Sequence, residues 1–81
     1  MTLRRKISKF NLLLHGFKLS DEDINIWTKR VPIKRSHDVM IYNYHWKERI
    51  LKYTCYDCIG FVLYTGQIDD EQKAYNEILT I

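Results

Sequence analysis

The sequence predicts an α+β domain made of two N-terminal helices, a three-stranded antiparallel β-meander and a C-terminal helix packed on the sheet. Three observations carry that expectation. Between Asp38 and Gly66 the side chains alternate with period two; outside that stretch apolar residues recur at spacings of three and four; and Ser20 and Asp69 each open a run with the composition of a helix N-terminus. The Asp38–Gly66 stretch also holds five of the six tyrosines and both cysteines, so the remainder of the chain is expected to be arranged around it.

The first helix is read from Leu3, Ile7, Phe10, Leu14 and Phe17, which share one side of an α-helix, with Gly16 as its stop. Arg4, Arg5 and Lys6 would then stand in the first turn, against the positive end of the helix dipole, so local helix chemistry does not explain them. The second helix is read from Ser20, an N-cap with Asp23 three residues on as in a capping box, followed by Ile24, Trp27 and Val31 on one face. Trp27 is expected in the core, and Pro32 ends the helix. Lys34, Arg35, Ser36 and His37 make a basic connection into the meander.

In the meander, Met40, Tyr42, Tyr44 and Trp46 oppose Val39, Ile41, Asn43 and His45; Leu51, Tyr53 and Cys55 oppose Lys52 and Thr54; Ile59, Phe61 and Leu63 oppose Gly60, Val62 and Tyr64. Winding Trp46–Tyr64 as a helix instead scatters Lys47, Glu48, Arg49 and Lys52 among the apolar positions, which favours strands. For the last helix Asp69 serves as cap with Gln72 three residues later, and Ala74, Tyr75, Ile78 and Leu79 form its apolar stripe. The order helix, three strands, helix from Ser20 onward is shared with double-stranded-RNA-binding domains. Asp69-Asp70-Glu71 stand where those domains carry a Lys-rich helix start, and this departure would repel phosphate.

Eighty-one residues make a single domain, 1–81, near the size where burial only narrowly offsets chain entropy. No apolar run approaches the roughly 20 residues of a bilayer span. The basic start resembles a signal peptide only superficially, because Leu12–Leu14 is shorter than an h-region of roughly 7–15 residues and no small-residue cleavage site follows. A cytoplasmic protein without membrane attachment is therefore expected, and two cysteines without a larger framework agree with a reducing compartment.

Charge is lopsided. Residues 1–56 carry twelve Lys/Arg and five Asp/Glu, whereas residues 57–81 carry one Lys and five Asp/Glu, which together give the net +3. The candidate binding residues follow from that imbalance: Arg4, Arg5, Lys6, Lys9, Lys34, Arg35, Arg49 and Lys52 as cations, with Tyr42, Tyr44 and Trp46 as aromatics among them. Cations that neutralise phosphates beside rings that stack on bases are what nucleic-acid binding requires. Cys55-Tyr56-Asp57-Cys58 supplies half of a zinc site, which only His15, His37 and His45 could complete; the eight-residue separation of His37 and His45, the alternative ligand pair, exceeds common finger spacing, and the strand-like IGFVLY that follows is the wrong context for a redox CxxC. Two structural thiols at a turn is the favoured reading, with no cofactor.

No clustered glycines form a phosphate loop, and Glu71-x-Lys73 lacks a partner acid for nuclease chemistry. The expected function is a small non-enzymatic binding or regulatory protein. It would occupy a nucleic acid or a nucleic-acid-handling protein through a basic, aromatic face, as an accessory inhibitor of the kind small mobile elements encode. The alternatives are a CxxC-based zinc or thiol-redox protein, and a homodimer joined through the aromatic sheet face.

Overall fold

The second expected helix, from Ser20 to its end at Pro32, is not formed, and its latter half lies in a strand, Ile26–Ile33. A computed structural model describes residues 6–81 and shows helix α1 (Lys9–Leu14), strands β1 (Lys18–Leu19), β2 (Ile26–Ile33), β3 (Asp38–His45), β4 (Ile50–Tyr56) and β5 (Val62–Ile68), and helix α2 (Glu71–Thr80). All five strands form one antiparallel sheet in the order β1-β2-β3-β4-β5. The expected fold is thereby corrected twice, from two N-terminal helices to one short helix and from three strands to five.

The physical reason lies in Ser20–Ile33. The Ser20 hydroxyl accepts from the Glu22 amide at 3.2 Å and the Asp23 carboxylate from the Asn25 amide at 2.8 Å, so the side chains read as helix caps instead close consecutive turns. Beyond them IWTKRVPI is rich in β-branched and aromatic residues, and Trp27 and Val31 satisfy a two-residue period as well as a helical one. Pairing with the aromatic β3 along eight positions decides between the two, from Ile26 opposite His45 to Ile33 opposite Asp38. Pro32 does not break the strand. The Trp46 amide donates to Asn25 O and the Ser20 amide to Ile26 O, so odd-numbered residues of β2 bond to β3 and even-numbered ones face the outer edge. At Pro32 no N–H is asked for. With this strand, the helix-led order shared with double-stranded-RNA-binding domains is also lost.

Helix α1 is shorter than expected and differently oriented. Ser8 and Asn11 form its capping box, with the Ser8 hydroxyl accepting from the Asn11 amide at 3.0 Å and the Asn11 side chain from the Ser8 amide at 3.1 Å. Gly16 does end it, at φ 85°: the Phe17 amide bonds Leu12 O and the Gly16 amide bonds Leu13 O, a Schellman close. Ile7, Leu12 and Phe17 are buried, whereas Phe10 and Leu14 of the expected stripe are exposed. Helix α2 is capped one residue later than expected, by Asp70, whose carboxylate accepts from the Lys73 amide at 3.0 Å. Its Ala74 and Ile78 are buried, Tyr75 packs at the core's edge, and Leu79 is exposed.

One face of the sheet carries the core. Trp27, Tyr42, Tyr44 and Leu51 join Ile7, Leu12, Phe17, Ala74 and Ile78, with Val31, Met40, Trp46, Tyr53 and Ile68 packed around them. Trp27 is a core residue, as expected. The shortest dimension, 20 Å, is that of a sheet with a single layer of helices upon it. No helix among the described residues is long and apolar enough to cross a membrane.

Candidate functional site

Pairing register divides the strand residues into two sets. Lys18, Thr28, Asn43, Lys52 and Gln67 lie in one row across all five strands, and Arg30, Ile41, Thr54 and Thr65 lie in the next across β2–β5. These rows alternate with the rows containing Trp27, Tyr44 and Leu51, so they belong to the opposite, outer face. Every buried residue contributed by α1 and α2 joins the inner cluster, which leaves the outer face uncovered among the described residues. Lys18, Arg30 and Lys52 are exposed on it.

The electrostatics of the outer face follow from what its strand positions contain. Besides the three cations they hold Thr28, Asn43, Thr54, Thr65, Gln67, His45 and a set of half-buried apolar residues, and no Asp or Glu. Lys18 and Lys52 stand three strand spacings apart, about 14 Å at the backbone. Toward the β2–β3 turn, where Lys34 and Arg35 are exposed, the face sinks into a depression of about 610 Å3 lined by Arg30, His37, Ile41, Tyr56 and Cys58. Asp57 also borders it, but its carboxylate is engaged by the Ile59 amide at 3.1 Å and the Phe61 amide at 2.8 Å. The opposite end of the sheet is mixed, with Asp21, Glu22, Asp23 and Glu48 around Lys47. Glu48 accepts from Asn25 Nδ2 at 2.9 Å, a bond that lowers its pKa below the ordinary carboxylate value.

The residues expected to bind from sequence are separated by this division. Tyr42 and Tyr44 are buried on the inner face, and burial is the main cause that raises both phenol pKa values. Their rings are not available to stack on a base, nor is the face they share available to a second copy of the chain, because the chain's own helices cover it. Trp46 packs edge-on against Tyr44 at 6.3 Å between centroids, with the Arg49 guanidinium 4.2 Å and the Lys9 ammonium 5.3 Å from its ring. Arg49 also donates to Ile7 O at 2.9 Å and pairs with Glu71 at 3.9 Å, tying the N-terminal segment to the β3–β4 turn and α2. Lys6 is exposed before α1; Arg4 and Arg5 lie outside the described residues. Of the expected cations, Lys52 is on the outer face and Lys34 and Arg35 are at its margin.

Lys18 and Arg30 were missed as site residues. The available signal was the alternation Ile26, Thr28, Arg30, Pro32, which places Arg30 beside Thr28 only once residues 26–33 are read as a strand.

The alternative metal set is also dispersed. Cys55 is buried toward the core, while Cys58 is exposed in the β4–β5 turn. His37 and His45 stand at opposite ends of β3, about 26 Å apart along the strand. Among the described residues no group of three or more His, Cys, Asp or Glu is placed to hold a metal ion.

Comparison with known proteins finds no match. No family model, no curated protein and no solved structure is similar to this chain at a significant level.

Proposed function

We propose that this protein is a small non-enzymatic binding protein whose open sheet face engages a nucleic-acid backbone. The observation that carries the reading is the outer face itself, with Lys18, Arg30 and Lys52 exposed, no carboxylate at any of its strand positions, and all helical packing on the other side. Cations arranged over an open sheet can neutralise phosphates, and the threonine, asparagine and glutamine side chains between them supply neutral hydrogen-bond groups for phosphate and sugar. Tyr56, at the edge of the depression, is the aromatic residue of this face. With one ring in place of several, contact is to the backbone more than to the bases, and binding is tolerant of sequence.

The test uses fluorescence anisotropy of labelled single-stranded DNA and RNA oligonucleotides at salt concentrations from about 50 to about 200 mM. Wild type should bind at low salt, with log affinity falling linearly against log salt. Replacing Lys18, Arg30 and Lys52 together by Ala should weaken binding to every sequence and lower the salt slope by about 2, as expected for three lost phosphate contacts on a single strand. All three side chains are exposed, so the melting temperature should be unchanged. Absence of binding by wild type at the lowest salt, or an unaltered slope in the triple variant, would overturn the reading.

A further inference from the structure

The hairpin that closes the sheet is an unusual surface for a small monomer. Ile59, Phe61, Val62, Leu63 and Tyr64 are 74, 67, 55, 52 and 50% exposed, and residues 58–68 contain no charged side chain. Applied to side chains of about 150–250 Å2, those fractions amount to roughly 600 Å2 of accessible apolar surface, at the upper limit of what monomers expose. The turn that displays it is built. Asp57 gathers the Ile59 and Phe61 amides, Gly60 takes φ 97°, and the Gly60 amide bonds Asp57 O.

β5 is also an edge strand with an open ladder. The bonds of Asp57 to Phe61 and the register Cys55–Tyr64, Tyr53–Gly66 and Leu51–Ile68 make those residues the ones bonded to β4, so the backbone groups of Thr65 and Gln67 point to the free edge. No lysine, glutamate or proline guards it, unlike most exposed edges; an irregularity in register near Leu63 is confined to the turn-proximal end.

We infer that the chain forms a two-fold dimer by antiparallel pairing of β5 with β5 of a second copy, centred on Thr65. The second copy is favoured as occupant by three features. The strand is uncharged, so self-pairing opposes no like charges and a charged partner segment gains nothing from it. Centring on Thr65, the middle of Val62–Ile68, sets Val62 against Ile68, Tyr64 against Gly66 and Leu63 against Gln67 of the other copy, so that Val62 and Tyr64 meet an apolar or side-chain-free position and Leu63 meets the uncharged stem of Gln67. About half of that exposed apolar area, on Val62, Leu63 and Tyr64, lies within the strand itself, where pairing with a second copy covers it together with the open backbone ladder. A two-fold axis through such a pair is perpendicular to the sheet, so the product is a ten-stranded sheet with both helical layers on one side and both cationic faces joined on the other.

Sedimentation equilibrium over a concentration series, without nucleic acid, tests the dimer independently of the function proposed above. Wild type should associate to a dimer. Thr65→Lys sets two ammonium groups directly opposite each other across the axis and should raise the dimer Kd about tenfold or more. In a Cys58→Ser background, Thr65→Cys should form a disulfide-linked dimer on mild oxidation, because directly opposed bonded residues are about 5.5 Å apart at Cα. Ser36→Cys, exposed at the β2–β3 turn, should not. A wild type that stays monomeric throughout overturns the inference, as does a Thr65→Lys variant that dimerises like wild type. Should Thr65→Lys fail to fold, the cysteine pair decides: equal cross-linking at residues 36 and 65, or none at 65, rejects the β5 interface.

Discussion

Replacement of Gly66 by Ala tests how the inner face of the sheet is packed. A Cβ built on Gly66 would lie 2.3 Å from both Cζ and the hydroxyl oxygen of Tyr53 and 2.7 Å from Cε2, where ordinary contact begins near 3.4 Å. The ring must therefore withdraw by about 1 Å, and it is not free to do so at no cost, because it packs against Tyr42 at 6.1 Å between centroids. Overpacking of this kind costs about 1–3 kcal/mol, offset by the roughly 0.5–1 kcal/mol that Ala gains over Gly in a strand. A net loss of about 1–2 kcal/mol is expected, which lowers Tm by roughly 5–15 °C in a domain of this size. Chemical and thermal denaturation of Gly66→Ala, Tyr53→Ala and the double variant, at matched protein concentration, measure it. With the ring gone, Gly66→Ala should become neutral or stabilising by about 0.5–1 kcal/mol. The same penalty in both backgrounds would show that Tyr53 is not what forbids a side chain at position 66.

Two further perturbations address the turns and the buried phenols. His37 and Arg49 both close four-residue hairpin loops at positive φ, 61° and 59°; His37→Gly, at an exposed site, should stabilise the protein by about 0.5–1 kcal/mol, whereas Arg49→Gly should destabilise it despite the same backbone relief, because the guanidinium contacts to Ile7 O and Trp46 are lost. Equal gains from both in urea unfolding would reduce Arg49 to a surface residue. Tyr42 and Tyr44 have pKa values raised above the ordinary 10.0, so the folded state holds these protons more tightly than the unfolded chain; their contribution is fully present below about pH 10 and is lost as pH rises through the raised values. Stability measured by urea unfolding should fall above pH 10 in wild type and fall less steeply in Tyr42→Phe and Tyr44→Phe, and an unchanged slope in both would reject the assignment.

β3 and β4 were legible because period-two alternation in aromatic, β-branched sequence has few alternatives, and α2 because its stripe and acidic start agree; the third strand was expected over Ile59–Thr65 with its end at Gly66, but Asp57 draws Ile59–Phe61 into a turn and β5 runs from Val62 through Gly66 to Ile68. β2 was not, since Trp27 and Val31 fit either period, and Ser20 and Asp23 hydrogen-bond equally well to turn amides as to a helix start. The position of Pro32 added to the error, because a proline tolerated at an open edge looks the same in sequence as one that stops a helix. The candidate site was partly legible. Lys52, Lys34 and Arg35 were identified by charge, but sequence alone could not say which face of the alternating Met40–Trp46 run the helices would cover, and the tyrosines went to the core. The outer face is recognisable only after the four strand registers are known together, since Lys18 and Lys52 are far apart in the chain and share a row only through the strands between them.

The strictly sequential strand order has a kinetic consequence. Each strand finds its partner immediately before or after it along the chain, so the sheet can grow hairpin by hairpin with little loop-closure entropy at each step. The core cannot. Ala74 and Ile78 arrive only with α2, and the Ile7 amide reaches the Glu71 carboxylate across 64 residues of sequence. Pairing is therefore expected to run ahead of packing, and until α2 docks, the sheet presents Tyr42, Tyr44 and Leu51 to water alongside the already exposed β4–β5 hairpin. That interval is when this chain is most vulnerable to aggregation, and its length is set by how fast one ten-residue helix finds its seat.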